Sequence, residues 1–377
     1  MTQATVLQVL PALGGGGVER GTVEVAAALG AAGCRALVAS ESGKLEHDLA
    51  RAGAQHFELP LAAKSPFRIW RNAAALEALI RAEKVDIVHA RSRAPAWSAW
   101  LAARRAGVRF VTTWHGTYNE DFPLKRRYNA IMAKGERVIA ISHFIAAHLK
   151  RVTDVDPAVV RVIPRGVDPA RFDPEAVNSA RIEATMRNLG LPDGAPIVLL
   201  PGRITRWKGQ AVLVEAMAHL ARQDVVAVLL GDTQGREAFR AELEALVAAR
   251  GLTGRVFLRP HAHDLPAVMM LASAVVSAST DPEAFGRVVI EGQAMGRPVI
   301  ATDHGGAKET VVQGETGLLV PPGDAAALAA ALDDVLSLDA PTRAALGARA
   351  RQHVLDSAYT TQAMCAATLD VYRELLG

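Results

Sequence analysis

Val6-Leu7-Gln8-Val9-Leu10-Pro11-Ala12-Leu13-Gly14-Gly15-Gly16-Gly17-Val18-Glu19-Arg20 decides how this chain folds. A short apolar run is closed by glycines and followed at once by an Ala-rich stretch of helical period. That order predicts a strand, a tight turn and a helix starting near Glu19. Further Val/Ile/Leu runs at 36–40, 86–89, 109–113 and 137–141 repeat the pattern, with longer helical segments between them. Strands alternating with helices in this way build βαβ units and a parallel sheet covered on both faces.

The rhythm breaks at Pro164, Gly166, Pro169 and Pro174, with Pro192 just beyond, and then restarts. Strands are expected at 197–200, 225–230, 256–258, 274–277, 298–301 and 317–320, with helices over 210–221 and 236–249 between them. The chain therefore reads as α/β, with two Rossmann-like doubly wound domains at 1–168 and 190–355 and a linker at 169–189. The tail, 325–376, is helical in period with a break near Asp339 to Pro341. Its last part, 356–377, is long enough to cross back to the first domain. Ligands of open α/β sheets sit beyond the carboxyl ends of the strands, so two such domains are expected to face each other across a cleft.

A length of 377 residues suits two domains, because single cores stop growing at about 250–300 residues. With 50% hydrophobic and 21% charged residues, disorder is excluded. A net charge of +3 is too small to suggest a nucleic-acid partner. The distribution is uneven: 23 basic and 14 acidic residues up to Val167, then 19 and 25 from Asp168 onward. A basic first half can face an anionic surface or merely be solvated. Cys34 and Cys365 are far apart and lack C-x-x-C spacing, so neither a disulfide framework nor a zinc site is implied, and a reducing, cytoplasmic setting fits. Residues 1–13 carry no basic leader, and no run reaches about 18 apolar residues, so the protein is expected to be soluble or to rest on a membrane.

Three segments could carry chemistry. In the first, Gly14 and Gly16 resemble the opening of a dinucleotide fingerprint, and a helix start favours anions. Glu19, however, stands at the third glycine's place and sets a carboxylate where a pyrophosphate would approach. A plain flexible turn is the other reading. The second, Pro201-Gly202-Arg203-Ile204-Thr205-Arg206-Trp207-Lys208-Gly209, lacks the Walker order but offers two cations between glycines, suited to a diphosphate. As a loop cation, Lys208 is expected to add little to the core. The third runs from Asp281 through Glu283, Phe285, Gly286 and Glu291 to Pro298. Glu283 falls in a loop and Glu291 about two turns inside a helix starting near Gly286, so the two cannot share a proton and should differ in role. Free N–H groups at Phe285 and Gly286 would meet an anion.

Other motifs are weaker. Asp154-Val155-Asp156 has metal-binding letters but precedes Pro157 in a turn, and His261 and His263 have metal spacing only. His115, in Trp114-His115-Gly116, stands at a strand's carboxyl end and could equally be structural. Residues 123–134, with Lys125, Arg126, Arg127 and Lys134 among apolar residues, could lie on an anionic leaflet or be a solvated amphipathic helix.

Taken together, these segments resemble a family 4 glycosyltransferase of the GT-B fold over nearly the whole chain. The resemblance is carried by Gly14 to Arg20, Trp114-His115-Gly116, Val162-Ile163-Pro164-Arg165-Gly166-Val167-Asp168, Gly202-Arg203 with Lys208-Gly209, Gly231-Asp232, Glu283 to Glu291, and Gly305-Gly306 with Glu309. It implies a retaining transferase that needs no metal cofactor and moves a hexose-type sugar from a UDP- or GDP-linked donor. The acceptor would be a hydroxyl of a glycan or lipid-linked molecule; the basic first half and residues 123–134, by charge alone, turn that expectation toward a cell-envelope acceptor such as lipopolysaccharide core at the inner membrane face. Arg203 and Lys208 would hold the diphosphate, and Glu291 the donor ribose. Glu283 and His115 would lie beside the sugar, with Gly16 and Gly17 near phosphate and acceptor. Two departures stand out: Arg165 where the family often has Asn, and Gly231-Asp232-Thr233-Gln234-Gly235 where it commonly has G-x-G-P. A sugar-nucleotide epimerase or a non-catalytic nucleotide-sugar-binding subunit would share the architecture.

Overall fold

The computed structural model describes residues 4–118 and 122–377. They divide into two units, Met1–Pro164 with Thr361–Gly377 and Arg165–Thr360.

The first unit holds seven strands, β1 (Thr5–Ala12), β2 (Arg35–Glu41), β3 (Gln55–Glu58), β4 (Ile87–Ala90), β5 (Arg109–Trp114), β6 (Arg137–Ala140) and β7 (Val160–Val162). They lie in the order β3-β2-β1-β4-β5-β6-β7, and each neighbouring pair is parallel. Val6, Leu7, Val9 and Leu10 of β1 are fully buried, as expected where both faces of a parallel strand are covered. The two strands that the hydrophobic runs did not reveal, β3 and β7, are the sheet edges. There a half-buried Gln-His-Phe-Glu or a three-residue Val-Arg-Val is enough.

The second unit holds β8 (Ile197–Pro201), β9 (Val226–Leu230), β10 (Val256–Arg259), β11 (Ala272–Ser277), β12 (Val299–Thr302) and β13 (Leu318–Val320), again all parallel. Their order is β10-β9-β8-β11-β12-β13. In both sheets the winding reverses beside the first strand, between β1 and β4 and between β8 and β11. The loops leaving those strands diverge there and open a crevice.

The segment expected as a linker, 169–189, is instead part of the second unit. Its last eleven residues form the helix Ser179–Leu189, capped by the Asn178 side chain and closed by Gly190 in the left-handed conformation. Arg181 pairs with Asp264 at 2.8 Å, which fastens that helix to the unit. The proline count marked the start of an irregular stretch but overstated its length.

The tail has two breaks. Asp339 caps the helix Ala340–Asp356 through the Thr342 N–H (2.8 Å). A second break at 357–360 precedes the helix Thr361–Leu376, which belongs to the first unit. Its Met364, Cys365, Leu369, Val371, Tyr372 and Leu375 are buried in the first unit's core beside Val25, Leu29 and Ile139. Each fully buried aliphatic side chain contributes about 1.5–3 kcal/mol, so this helix is an integral layer of that unit. Thr360 forms a bridge with Val167, tying together the two chain segments that enter and leave the second unit. No helix among the described residues is long and apolar enough to cross a membrane.

Candidate functional site

In the second unit the basic loop is fixed by glycine contacts that no other residue would allow. A Cβ at Gly231 would stand 2.0 Å from the Gly202 carbonyl oxygen, so the turns after β9 and β8 touch backbone to backbone. Gly202 N–H donates to Leu230 (2.9 Å) and Ile204 N–H to the Asp232 carbonyl (3.0 Å). The unusual Gly231-Asp232 stretch thus buttresses the loop. Gly209 adopts φ +73°, and a Cβ there would lie 1.8 Å from the Ala278 carbonyl oxygen, pinning the loop's end against the residue after β11.

The result is a placed cation. Lys208 Nζ lies 2.6 Å from Glu283 Oε1, and both side chains are only 14% exposed. The same carboxylate oxygen accepts hydrogen bonds from Ser279 Oγ (2.6 Å) and, more weakly, Ser277 Oγ (3.4 Å). Burial pushes the Glu283 carboxyl up, but Lys208 and the two serines outweigh it and hold it below its ordinary value. Glu283 is therefore ionised. Its backbone is held as well: Gly306 N–H donates to the Glu283 carbonyl at 2.8 Å. His304 Nε2 donates to Ser279 (2.8 Å), bracing the serine turn.

Beyond Glu283, Gly286 takes φ +81° and starts the helix Arg287–Ala294. Phe285 is buried edge-on against Tyr359, with centroids 5.7 Å apart. Among the described residues the N–H groups of Phe285 and Gly286 are not used for hydrogen bonds within the protein. They mark a helix start suited to an anion. Glu291 lies one turn beyond Arg287, 3.6 Å from its Nε. The two carboxylates thus sit beside different cations, as their unequal positions require. Arg203 keeps its backbone in the loop, its carbonyl accepting from Gln210 Nε2 (2.9 Å). Its guanidinium is exposed and forms no ion pair among the described residues.

The remaining candidates belong to the first unit. Gly16 is the N-cap of the helix Gly17–Ala31, and Glu19 folds back so closely that a Cβ at Gly16 would sit 2.5 Å from its Oε2. His115 directly follows β5. Its turn is set by Trp114, whose buried indole N–H donates to Gly116 (2.7 Å). Tyr118 packs on Trp114 with centroids 4.9 Å apart and lies under the Arg93 guanidinium at 3.9 Å. Arg165 is buried. Asp156 is spent on capping a turn, accepting from Ala158 N–H at 2.9 Å. Among the described residues no group of three or more His, Cys, Asp and Glu side chains could hold a metal ion.

Structure corrects one expectation: Lys208 does not simply add little to the core but forms half of a partly buried ion pair. It also adds Ser277, Ser279, Arg287 and His304, which lie near the family motifs and carry no spacing of their own. The Ser-Ala-Ser step at the end of β11 was the available signal.

The model of the Glycosyl transferases group 1 family matches residues 181–353, and that of Glycosyltransferase Family 4 matches residues 15–171. A D-inositol 3-phosphate glycosyltransferase of Xylanimonas cellulosilytica is 34% identical over 77% of this chain and 72% of its own length. A glycosyltransferase crystal structure from Rickettsia africae superposes with a TM-score of 0.92 at 38% identity, over 100% of this chain and 99% of that one. The chain belongs to the group 1 glycosyltransferases. It shares with them the GT-B pair of Rossmann-like domains. Anabaena HepE, solved in complex with UDP and glucose, shares the fold with a TM-score of 0.86 and 22% identity, over 98% of this chain and 99% of that one.

Proposed function

We propose that this glycosyltransferase moves a sugar from a UDP-linked donor to a hydroxyl of a phosphate-bearing acceptor, with retention of anomeric configuration and without a metal cofactor. The observation that carries the reading is the partly buried Lys208–Glu283 pair, 2.6 Å apart, beside the unused N–H groups of Phe285 and Gly286. Breaking the bond from sugar to phosphate leaves negative charge on the diphosphate. Lys208, Arg203 and those N–H groups supply positive potential for it, which lowers the barrier by several kcal/mol. Glu283, ionised and anchored by Ser277 and Ser279, orients the Lys208 ammonium and presents negative charge to a cationic sugar carbon. Glu291 accepts from ribose hydroxyls. UDP is favoured because HepE was solved with UDP and UDP-glucose. An anionic acceptor fits the relatives' D-inositol 3-phosphate and the first unit's excess of cations.

A second acceptor class, a lipid-linked glycan such as lipopolysaccharide core on an anionic membrane, is favoured by one feature. Phe67, Trp70, Phe122 and Leu124 are 70%, 59%, 49% and 74% exposed. Arg68, Arg71, Arg126 and Arg127 are their sequence neighbours. Both segments flank the helix Arg93–Ala106, whose Ser98 Oγ donates to Ile69 (3.1 Å) and Trp97 Nε1 to Tyr128 (3.2 Å). Cosedimentation with anionic vesicles at low salt separates the two, since only the lipid-linked class requires binding.

The test of the main reading is a thermal-shift panel of UDP, GDP and ADP followed by assay of UDP-sugar consumption with and without inositol 3-phosphate. Selective stabilisation by UDP and acceptor-dependent consumption are expected. Equal consumption without acceptor would point to an epimerase or hydrolase, and no stabilisation by any nucleotide would overturn the donor assignment. The coupling constant of the product's anomeric proton reports retention, and an excess of chelator should leave the rate unchanged.

A further inference from the structure

A cavity of about 410 Å³ opens in the second unit at the end of the sheet opposite Lys208. Its lining includes Leu271 to Ser273, where β11 begins, and Arg297 and Pro298, just before β12. Ser277 and Glu283 lie past the other end of β11. Three arginines line the cavity, Arg297, Arg343 and Arg351, and no Asp or Glu is among its lining residues.

Arg351 is paired with Asp173 at 3.0 Å, and Arg343 lies within electrostatic reach of Asp339. Arg297 and Arg343 form no ion pair among the described residues. Arg297 donates to the Met295 carbonyl (3.2 Å), the Met270 sulfur (3.3 Å) and, at the limit, the Ala272 carbonyl (3.5 Å). Arg343 gives one long bond to the Leu338 carbonyl (3.4 Å). A guanidinium has five donors, so most of Arg343's are unused. Burial, and next the like charge of Arg343, push the Arg297 guanidinium below its ordinary value, a cost that a bound anion would relieve.

Capping of the helix Arg287–Ala294 accounts for two of the three. Arg351 donates to the Ala294 carbonyl and Arg297 to that of Met295. It does not account for Arg343, which projects from the neighbouring helix Ala340–Asp356. That helix is held close: a Cβ at Gly347 would lie 2.0 Å from the Gly296 carbonyl oxygen. Apart from Ser273, the remaining wall is apolar, with Pro174, Leu271, Met295 and Pro298. A volume of this size suits a small organic ligand.

We propose that this cavity is a second ligand site, for a compact phosphomonoester whose phosphate sits between Arg297 and Arg343 and whose carbon skeleton lies on the apolar wall. The site is independent of the donor assignment. The helix Arg287–Ala294, about 12 Å long, joins it to Gly286 and Glu291, so an occupant has a direct route to the donor cradle.

Glycerol 3-phosphate and inorganic phosphate serve as probes in calorimetric titrations of wild type, Arg343→Ala and Lys208→Ala, with each variant's far-UV spectrum and melting curve recorded. Wild type is expected to bind glycerol 3-phosphate at least as tightly as inorganic phosphate. Arg343→Ala, whose side chain makes one weak bond, should remain folded and bind at least about tenfold more weakly. Lys208→Ala should bind like wild type. No binding to wild type, equal affinity in Arg343→Ala, loss in Lys208→Ala, or binding of inorganic phosphate with exclusion of the ester would each overturn the assignment.

Discussion

The two sheets reverse their winding at equivalent places, and each buries a polar cluster there, but of opposite kind. Beyond β11 the cluster is charged: Lys208 against Glu283, with two serines. At the end of β4 it is neutral. His89, fully buried, joins its Nδ1 to the Tyr372 hydroxyl and its Nε2 to Thr113 Oγ1, both at 2.7 Å. Burial first, and Arg91 second, push its imidazole well below its ordinary value, so the ring is uncharged. A neutral, fully satisfied triad costs little to bury and fastens the C-terminal helix to the first sheet. An ion pair held at 14% exposure gains little over an apolar pair of equal size. The neutral cluster is explained by stability alone, and the charged one, on the function proposed above, by what it can do to a diphosphate.

Lys208→Ala is the strongest way to break this contrast. On the proposed mechanism, transfer turnover should fall by about a thousandfold, since the variant removes a charge assigned to the leaving group. Urea unfolding should also show a loss of about 3–5 kcal/mol, because Glu283 is left buried without its cation. The double variant Lys208→Met with Glu283→Gln should regain most of that stability and none of the turnover. Recovery of both would reduce the pair to a structural one.

Tyr372→Phe probes the neutral cluster. Loss of the hydroxyl leaves one His89 nitrogen unpartnered and should cost about 1–3 kcal/mol of stability while kcat at a permissive temperature stays near wild type. The same imidazole predicts a pH dependence. Its folded value lies below the ordinary 6.5, so between the two the unfolded chain binds a proton that the folded one does not. Stability should decline as pH falls below 6.5, by at most about 1.4 kcal/mol per pH unit, and level off below the folded value. A urea midpoint that is flat from pH 7 to 5 in a His89→Gln variant but not in wild type would assign the decline to this ring.

How much of this the sequence made legible follows the same division. Continuous apolar runs such as 197–200 and 225–230 announced the central strands because both their faces are buried. Edge strands β3 and β7 need no such run and left no mark. Glu283, Glu291, Arg203 and Lys208 were legible as motif letters. That Lys208 touches Glu283 across 75 residues was not, because it depends on Gly209 and Gly231 bringing backbones into contact. Tyr372 was invisible as a partner of His89, 283 positions away: nothing in a helical period says which buried residue will carry a hydroxyl to a histidine. The helix Ser179–Leu189 was hidden by the prolines before it.

The smallest effect is expected where the C-terminal helix is held at the surface. Glu374 accepts from Arg161 Nη2 (2.7 Å) and Arg137 Nε (2.8 Å), and these bonds bring its carboxyl down from 4.5 to about 2. A carboxyl lowered on folding contributes stability above pH 4.5 and loses it as pH falls toward 2. Glu374 is exposed enough for water and salt to screen most of the attraction, so Glu374→Gln should cost no more than about 1 kcal/mol at neutral pH. That cost should shrink in high salt and vanish once pH has fallen well through 2, where wild type is protonated as well. A cost that persists there would mean that Glu374 acts through packing rather than charge, and would make the surface clasp resemble the buried His89 cluster more than the Lys208 pair.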